Sequence, residues 1–532
     1  MWTKLAVPIK IFLLVYFASA LSYTGSSRIP PEKKPRSGGV FRLKSFADTF
    51  RRELDPASPE SFIFISEQIY DGLVDLDNHF NIVPSLAEYW EISSDRKTFT
   101  FHLRKGVRFH HGREISAEDV KYSLQRILDR KTRSPYFQFF LPRVAGAEAY
   151  REGKSSHVQG FRVLDRYTFQ IRWTKPYISA LYLLSMHFCK VLPKDLLEEK
   201  GENFFLNPSG TGPFKFSYWV RTSRLEIAGV HLERNEEYFG GAPYVKAVEF
   251  CPLYTLEHFL NGEIHSIPVL SERLLNSQYQ IFVDGSLHRV FLGMSCRIPP
   301  LDDPAVRRAI SFGINKKALV RASQDIRTLK QGVSSYIPSQ LPGFFPDEVE
   351  DTYDLEKAAR GLKRAGFSPE KEFPSLTLFL SLPRTELKIK IYRELRKQFE
   401  NLGIRLKVDF YKSTQHIKQS KKPYVVLMDR LMNIPDPEDI IRPLFHSKSI
   451  FNLLGYENPL LDELLQKAEV EKSWTRRINF FHQIEEILLS DVPAVPLYSQ
   501  QNRVAMQPYV RGVDVPPSGL YYLEAKNIWL AK

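Results

Sequence analysis

The chain has 532 residues, 43% of them hydrophobic, too many for one hydrophobic core, so two or three domains of ordinary size are expected. Its formal net charge of +13 is scattered in short clusters such as Arg51-Arg52, Lys316-Lys317 and Lys421-Lys422 among acidic residues, the pattern of a solvated face. With no helix-turn-helix, zinc-finger or aromatic RNA-binding signature beside that charge, no nucleic-acid partner is expected.

At the N-terminus, Lys4 and Lys10 flank the start of IFLLVYFASA, an apolar run over Ile11 to Ala20 that ends in the small-x-small pattern Ala18-Ser19-Ala20. Residues 1–20 therefore read as a signal peptide and the protein as exported, with extension through Leu5 to Ile9 into an uncleaved anchor as the alternative. No Cys follows the run, so nothing supports a lipid-modified terminus. Residues 21–39, rich in Pro, Ser, Gly and charge, read as a flexible leader. The three cysteines, Cys189, Cys251 and Cys296, are too few and too far apart for a disulfide framework, and no pair has metal-ligand spacing.

In TFTFHL, Phe99, Phe101 and Leu103 alternate with polar residues, the period of a half-buried strand. A helix follows, with Ser116 as cap and Val120, Leu124, Ile127 and Leu128 as its apolar stripe. TFQIRW repeats the strand pattern on Phe169, Ile171 and Trp173. The glycines of GTGPF, Gly210 and Gly212, read as a tight turn needing positive φ; no Lys-Ser/Thr follows, so a phosphate loop is excluded. Asp303, followed by Pro304, caps a helix that buries Val306, Ala309 and Ile310, and Asp354 caps another that stops at Gly366. LTLFLSLPRT, a helix to Asn401, and IRLKVDFY then spell a β-α-β unit with a parallel sheet.

Catalytic signatures are missing from the sequence. It contains no Gly-x-Ser-x-Gly elbow, His-Glu-x-x-His helix or Gly-x-Gly-x-x-Gly fingerprint, so a non-enzyme without cofactor is expected. His110-His111 reads as a polar turn rather than a metal pair, and the pairs Asp302-Asp303 and Glu485-Glu486 as helix starts or solvated helix faces. Aromatics run high, with 25 Tyr and 38 Phe, which means extra core or an aromatic-lined pocket. The most telling stretch is YVVLMDRLMNIPDPEDIIRPLF, Tyr424 to Phe445. Val425, Val426 and Leu427 form a short core strand that Pro435 and Pro437 must end, and strand ends of this kind carry ligand groups in α/β proteins.

The order of these motifs resembles the family 5 extracellular solute-binding proteins, periplasmic receptors of dipeptide, oligopeptide and nickel ABC importers. The resemblance covers nearly the whole mature chain: LDP at Leu54 to Pro56, IYDGL at Ile69 to Leu73, PSLAEYWEIS at Pro84 to Ser93, FHLRKGVRFHHGREISAEDVKYSL at Phe101 to Leu124, GTGPF at Gly210 to Phe214, LERNEEYFGG at Leu232 to Gly241, LDDPAVRRAISFGINKKALV at Leu301 to Val320 and FNLLGYENPLLDELLQKA at Phe451 to Ala468. It implies a two-lobed α/β periplasmic binding protein-like fold with an extra subdomain in the first lobe and a hinged ligand cleft. The corresponding divisions are lobe I at 40–75 and 205–285, the inserted subdomain at 76–204, lobe II at 286–499 and a return to lobe I at 500–532. The implied function is capture of a peptide or peptide-like solute for delivery to a permease in the inner membrane. A transporter-independent sensor and a receptor for a non-peptide solute (an anionic compound, a sugar-like ligand or a metal chelate) are the alternatives.

The resemblance also carries the site. In peptide-binding relatives the stretch matching Arg430, Leu431, Met432, Asn433 and on to Pro437 runs along the cleft and presents an Asp to the ligand's α-ammonium; here Asn433 stands at that position. An amide carries no charge, so a buried ammonium would lose its counter-ion there, at a cost of roughly 3–5 kcal/mol. Three readings stay open: Asp429 or Asp436 supplies the carboxylate from a shifted register, the ligand lacks an amine and Arg430 binds a carboxylate, or Asn433 is a turn residue. The loop with Ser58, Pro59 and Glu60, Thr211 of GTGPF, and Arg384 in SLPRTE complete the expected ligand-binding set, with no metal.

Overall fold

The computed structural model describes residues 35–532 except 45–53, 59–61, 142, 277, 286, 326, 339–340, 342–352, 368–370, 433, 517–518 and 532. The signal peptide and most of the leader thus lie outside the described residues. The last residues of the leader are held in place: Gly38 donates to the Tyr244 carbonyl at 2.8 Å and Lys246 to that of Gly39 at 2.8 Å. No helix among the described residues is long and apolar enough to cross a membrane.

A twelve-stranded mixed sheet forms the backbone of the molecule. Ten of its strands run in the order Leu406–Tyr411, Leu376–Ser381, Tyr424–Leu431, His288–Met294, Ala494–Met506, Ser266–Pro268, Val40–Leu43, Ala247–Phe250, Ile227–Arg234 and Phe214–Arg221, while Gln280–Val283 and Thr328–Gly332 pair with Ala494–Met506 off that path. The expected β-α-β unit is present: Leu376–Ser381 and Leu406–Tyr411 pair in parallel, joined by the helix Glu386–Asn401. Strand Ala494–Met506 changes partners along its length. It pairs with His288–Gly293 as far as Gln500, then with Gln280–Val283 and Ser266–Pro268 from Arg503 onward.

Side chains on the two faces of the Tyr424–Leu431 strand explain its unbroken apolar run. Val425 faces a core with Leu292, Leu378 and Phe399, while Val426 faces another with Phe291, Phe445 and Phe481. A strand covered on both faces has no polar side to show. A separate core holds Phe41, Ile69, Phe214, Val230 and Ile528, bringing the first and last described segments together. The four-stranded sheet Ala87–Ile92, Thr98–Leu103, Thr168–Arg172 and Phe161–Asp165 has its own, built on Phe99, Phe101, Leu124, Phe169 and Trp173.

Local expectations hold where chain chemistry alone decides them. Asp303 caps the Ala305 amide at 2.7 Å ahead of helix Pro304–Phe312, Asp354 caps Lys357 at 2.8 Å, and Gly366 takes φ +88° after that helix. At Ser116 the capping is reciprocal, since Asp119 accepts the Ser116 amide at 2.9 Å. Two readings need correction. Gly210 and Gly212 do not have positive φ; they are glycine because a Cβ would stand 1.9 Å and 2.6 Å from the Ile69 carbonyl oxygen. Glu485 is not on a solvated face but buried, accepting the Tyr336 amide at 2.8 Å. The three cysteines are free thiols. His110 and His111 sit in a turn bonded to the GTG loop: His110 accepts the Gly210 amide at 3.2 Å and His111 meets the Ser209 hydroxyl at 2.8 Å.

Candidate functional site

The chain between strand Tyr424–Leu431 and helix Glu438–Phe445 threads between two cavities. Met432 is anchored in the core of Phe291 and Phe445, whereas Ile434 is anchored in the core of the four-stranded sheet. Pro435 then lines an inner chamber of about 420 Å³, and Asp436 an outer crevice of about 640 Å³.

The inner chamber is acidic. Helix Ile63–Ile69 brings Glu67 and Gln68 to its wall, Asp71 follows two residues after the helix, and Asp75 comes from the strand Val74–Leu76. Lys190 Nζ lies 2.7 Å from Glu67 Oε2, and its side chain is only 2% exposed. Asp71 has no ion-pair partner among the described residues; its oxygens accept the hydroxyls of Thr211 at 2.8 Å and Tyr238 at 3.0 Å. Burial pushes the Glu67 carboxyl up to about 7 against the pull of Lys190, and raises Asp71 against its hydroxyl partners. Burial opposes the Lys190 charge too, but Glu67 and Asp75 outweigh it and its pKa rises. Leu287, from the core of Phe291 and Phe445, and Pro435 line the same chamber, as does Tyr522 of the C-terminal segment.

Opposite charges balance in the outer crevice. Asp436 accepts Arg477 on both oxygens at 2.9 Å and the Ser179 hydroxyl at 2.6 Å. Glu438 meets Arg442 at 2.5 Å, Arg143 at 3.2 Å and Arg477 at 3.3 Å, while Glu469 lies 3.4 Å from both Arg143 and Arg442. Burial of Glu438 works against its charge, yet Arg442, Arg143 and Arg477 together hold its carboxyl down at about 2. Tyr136, Phe137, Phe139, Ile434 and Phe451 give the crevice an aromatic wall. A hydroxyl–imidazole–hydroxyl chain joins the two cavities: His187 meets Tyr136 at 3.1 Å and Tyr522 at 3.3 Å. Burial, then Lys190, lowers its pKa to about 3, so the ring is neutral.

Of the residues expected from sequence, Arg430 and Asp436 both line the crevice, and Arg430 donates to the Asp439 carbonyl at 2.9 Å. Leu431 is exposed and Met432 buried; Asn433, Pro59 and Glu60 lie outside the described residues. Ser58 donates its amide to Asp55 O at 3.1 Å and lines neither cavity. Thr211 is under the inner chamber on Asp71, and Arg384 is exposed over the Phe410 ring at 5.6 Å. Sequence reasoning missed Glu67, Asp71 and Lys190. The spacing of Glu67 and Asp71 hints at a shared wall, but nothing local ties them to a lysine more than a hundred residues on.

This geometry, a long sheet carrying separate cores at its two ends and a cavity walled from both, is the two-lobed α/β fold of periplasmic binding proteins. HbpA2 from Haemophilus parasuis matches it with a TM-score of 0.78 at 22% identity, covering 93% of this chain and 100% of that one. The chain belongs to the bacterial extracellular solute-binding proteins, family 5, whose middle-region model matches residues 81–452. It is 26% identical to the dipeptide-binding protein of Escherichia coli (strain K12) over 512 residues, 88% of this chain and 93% of that relative. The structure of DppA from Helicobacter pylori in complex with the peptide STSA matches with a TM-score of 0.71 at 26% identity, over 94% of this chain and 99% of that one.

Proposed function

We propose that this protein is the solute-capturing receptor of an ABC importer, holding a peptide or peptide-like guest between its lobes and handing it to a membrane permease. The observation that carries this is the inner chamber, lined both by Glu67 and Asp71 and by Leu287, which belongs to the separate core of Phe291 and Phe445. A guest seated there touches both sides at once. It binds the closed form more tightly than the open one and so holds the cleft shut.

Family membership and the peptides named for relatives support the choice of guest. The lobe divisions are 40–75 with 205–285 and 500–532 for the first, 76–204 for its inserted subdomain, and 286–499 for the second. The hinge falls where strand Ala494–Met506 changes partners. There Asp284 accepts the Asn502 amide at 2.6 Å, its side-chain amide at 2.7 Å, and the Gln501 side chain at 2.8 Å. The guest runs along Arg430 to Asn433, and the chain acts on the outer side of the cytoplasmic membrane after export.

Native mass spectrometry of freshly purified protein tests the reading: a retained peptide mass, released on denaturation, is expected. Small-angle scattering that stays unchanged on adding peptide mixtures, together with an empty native spectrum and no peptide binding, would sink it. Asn433→Asp should strengthen binding of peptides with a free α-ammonium; an unchanged affinity removes Asn433 from the contact set.

A further inference from the structure

Under the proposed divisions, residues 76–204 leave lobe I at 75 and re-enter it at 205, and they share its packing. Ala57, Leu73 and Val74 lie in the same core as Phe99, Phe101 and Phe169. Asp55 pairs with Arg126, Glu67 with Lys190 at 2.7 Å, and His110 meets the Gly212 carbonyl at 3.0 Å. Nothing covalent ties these residues to lobe II. There the contact consists of two reciprocal plugs and a few polar pairs. Ile434 of lobe II, 3% exposed, enters the core of the four-stranded sheet, and Phe80 in return packs against the core of Phe291 and Phe445. Phe80 sits in the turn between strands Val74–Leu76 and Ile82–Pro84 with φ +61°. A bulky residue resists that left-handed backbone, and Asp77 fixes the turn by accepting the amides of His79 and Asn81, each at 2.8 Å.

The polar pairs are shared unequally across the boundary. Within this network lobe II sets Arg442 and Arg477 against Asp436, Glu438 and Glu469, beside the separate pair of Arg430 and Asp439. Arg143 brings the third cation from the other side, 3.2 Å from Glu438 and 3.4 Å from Glu469, with its guanidinium over the Tyr177 ring. Ser179 adds its hydroxyl to Asp436 at 2.6 Å. When Arg143 and Ser179 withdraw, each of the three acids keeps an arginine, so the contact can part without stranding a buried carboxylate.

We propose that Ile434, Phe80, Arg143 and Ser179 form a latch that engages as the cleft closes, releases as it opens, and sets how much of the empty protein is already shut. The inference rests on the hinged-lobe part of the receptor reading and adds a contact away from the inner chamber. A hinge at strand Ala494–Met506 carries residues 76–204 along with lobe I, so these contacts are among those that opening must break. The left-handed turn at Phe80 aims its ring at the facing lobe. By enlarging the closed, binding-competent fraction, the latch tightens the apparent affinity for any guest that needs the closed form.

Spin labels at Arg96→Cys and Lys472→Cys, on a Cys296→Ser background, test this. Arg96 reaches the Lys472 carbonyl at 3.5 Å across the boundary, both residues are exposed, and the remaining cysteines, Cys189 and Cys251, are buried. Dipolar broadening at short range and pulsed resonance at long range should show two distances in the guest-free protein. Arg143→Met and Phe80→Ala should each lower the ratio of short to long about tenfold, and Ser179→Ala by less. Asp303→Ala, a destabilised control far from the boundary, should leave the ratio unchanged. Three contacts altered one at a time keep the test decisive if one variant folds poorly. A single distance in the guest-free protein, or a ratio that none of the three moves, overturns the latch. Peptide retention judges the receptor reading separately: retained peptide with an unmoved ratio sinks the latch alone, and a shifting ratio in a protein that retains and binds no peptide sinks the receptor reading alone.

Discussion

The two cavities on either side of Pro435 bury charge in opposite ways. In the outer crevice three carboxylates, Asp436, Glu438 and Glu469, meet three guanidinium groups, Arg143, Arg442 and Arg477. In the inner chamber Glu67 is paired with Lys190 and Glu524 with Lys526, whereas Asp71 is held by the hydroxyls of Thr211 and Tyr238. The first network pairs each carboxylate with at least one guanidinium and fastens the segment carrying Arg143 and Ser179 to the helices carrying Glu438 and Arg477. The second buries acid with fewer cations, so burial raises the pKa of Glu67 and Asp71 where the arginines of the first hold Glu438 down.

Breaking the arginine network should cost most. Arg477→Met leaves Asp436 buried with its guanidinium partner gone and takes one of three from Glu438, and urea unfolding should show a loss of ~3–5 kcal/mol. A loss under ~1 kcal/mol would mean that water or Arg143 compensates and the comparison fails. Next comes pH. Glu67 has a folded pKa of about 7 against an ordinary value of 4.5, so the folded state holds a proton there more tightly than the unfolded one. Its contribution is fully present below pH 4.5 and lost as pH rises through about 7, by at most ~3 kcal/mol. Thermal melting of the empty protein between pH 5 and 8 should show this decline, and Glu67→Gln should flatten it. Glu438 has the opposite sign. With its carboxyl held at about 2, its contribution is present above 4.5 and lost as pH falls through about 2, so Glu438→Gln should blunt acid unfolding instead.

Smaller effects sharpen the contrast. Ser179→Ala removes one hydroxyl from Asp436, which keeps Arg477, so a loss of ~1.5–2 kcal/mol is expected in urea unfolding. Asp303→Ala lies far from both cavities and removes a helix cap, at ~1 kcal/mol with guest affinity unchanged in calorimetry. A change in affinity there would show that stability alone moves binding, and would weaken every inference drawn from the cavity variants.

Local elements were legible wherever one stretch of chain holds its own reason. The alternation of Phe99, Phe101 and Leu103, the caps Asp303 and Asp354, and the parallel unit from Leu376 to Tyr411 are all set by neighbours in sequence. Gly210 and Gly212 were misread because the reason for them lies outside the loop, in the carbonyl of Ile69 pressed against it. Glu485 was misread in the same way, since its partners Ser335 and Tyr336 come from a distant segment. The segment from Arg430 to Pro437 announced itself by charge and proline after an apolar strand, but its role as the divider of two cavities depends on Ile434 and Met432 entering different cores.

By itself the sequence determined the periodic strands, the capped helices, the order of motifs that marks the family and the uncharged amide at 433. Tertiary structure decided which carboxylates share a lysine and which share three arginines. Electrostatic pairing depends on distance through space, and residues such as Glu67 and Lys190, or Ser179 and Asp436, become neighbours only once the whole chain has folded.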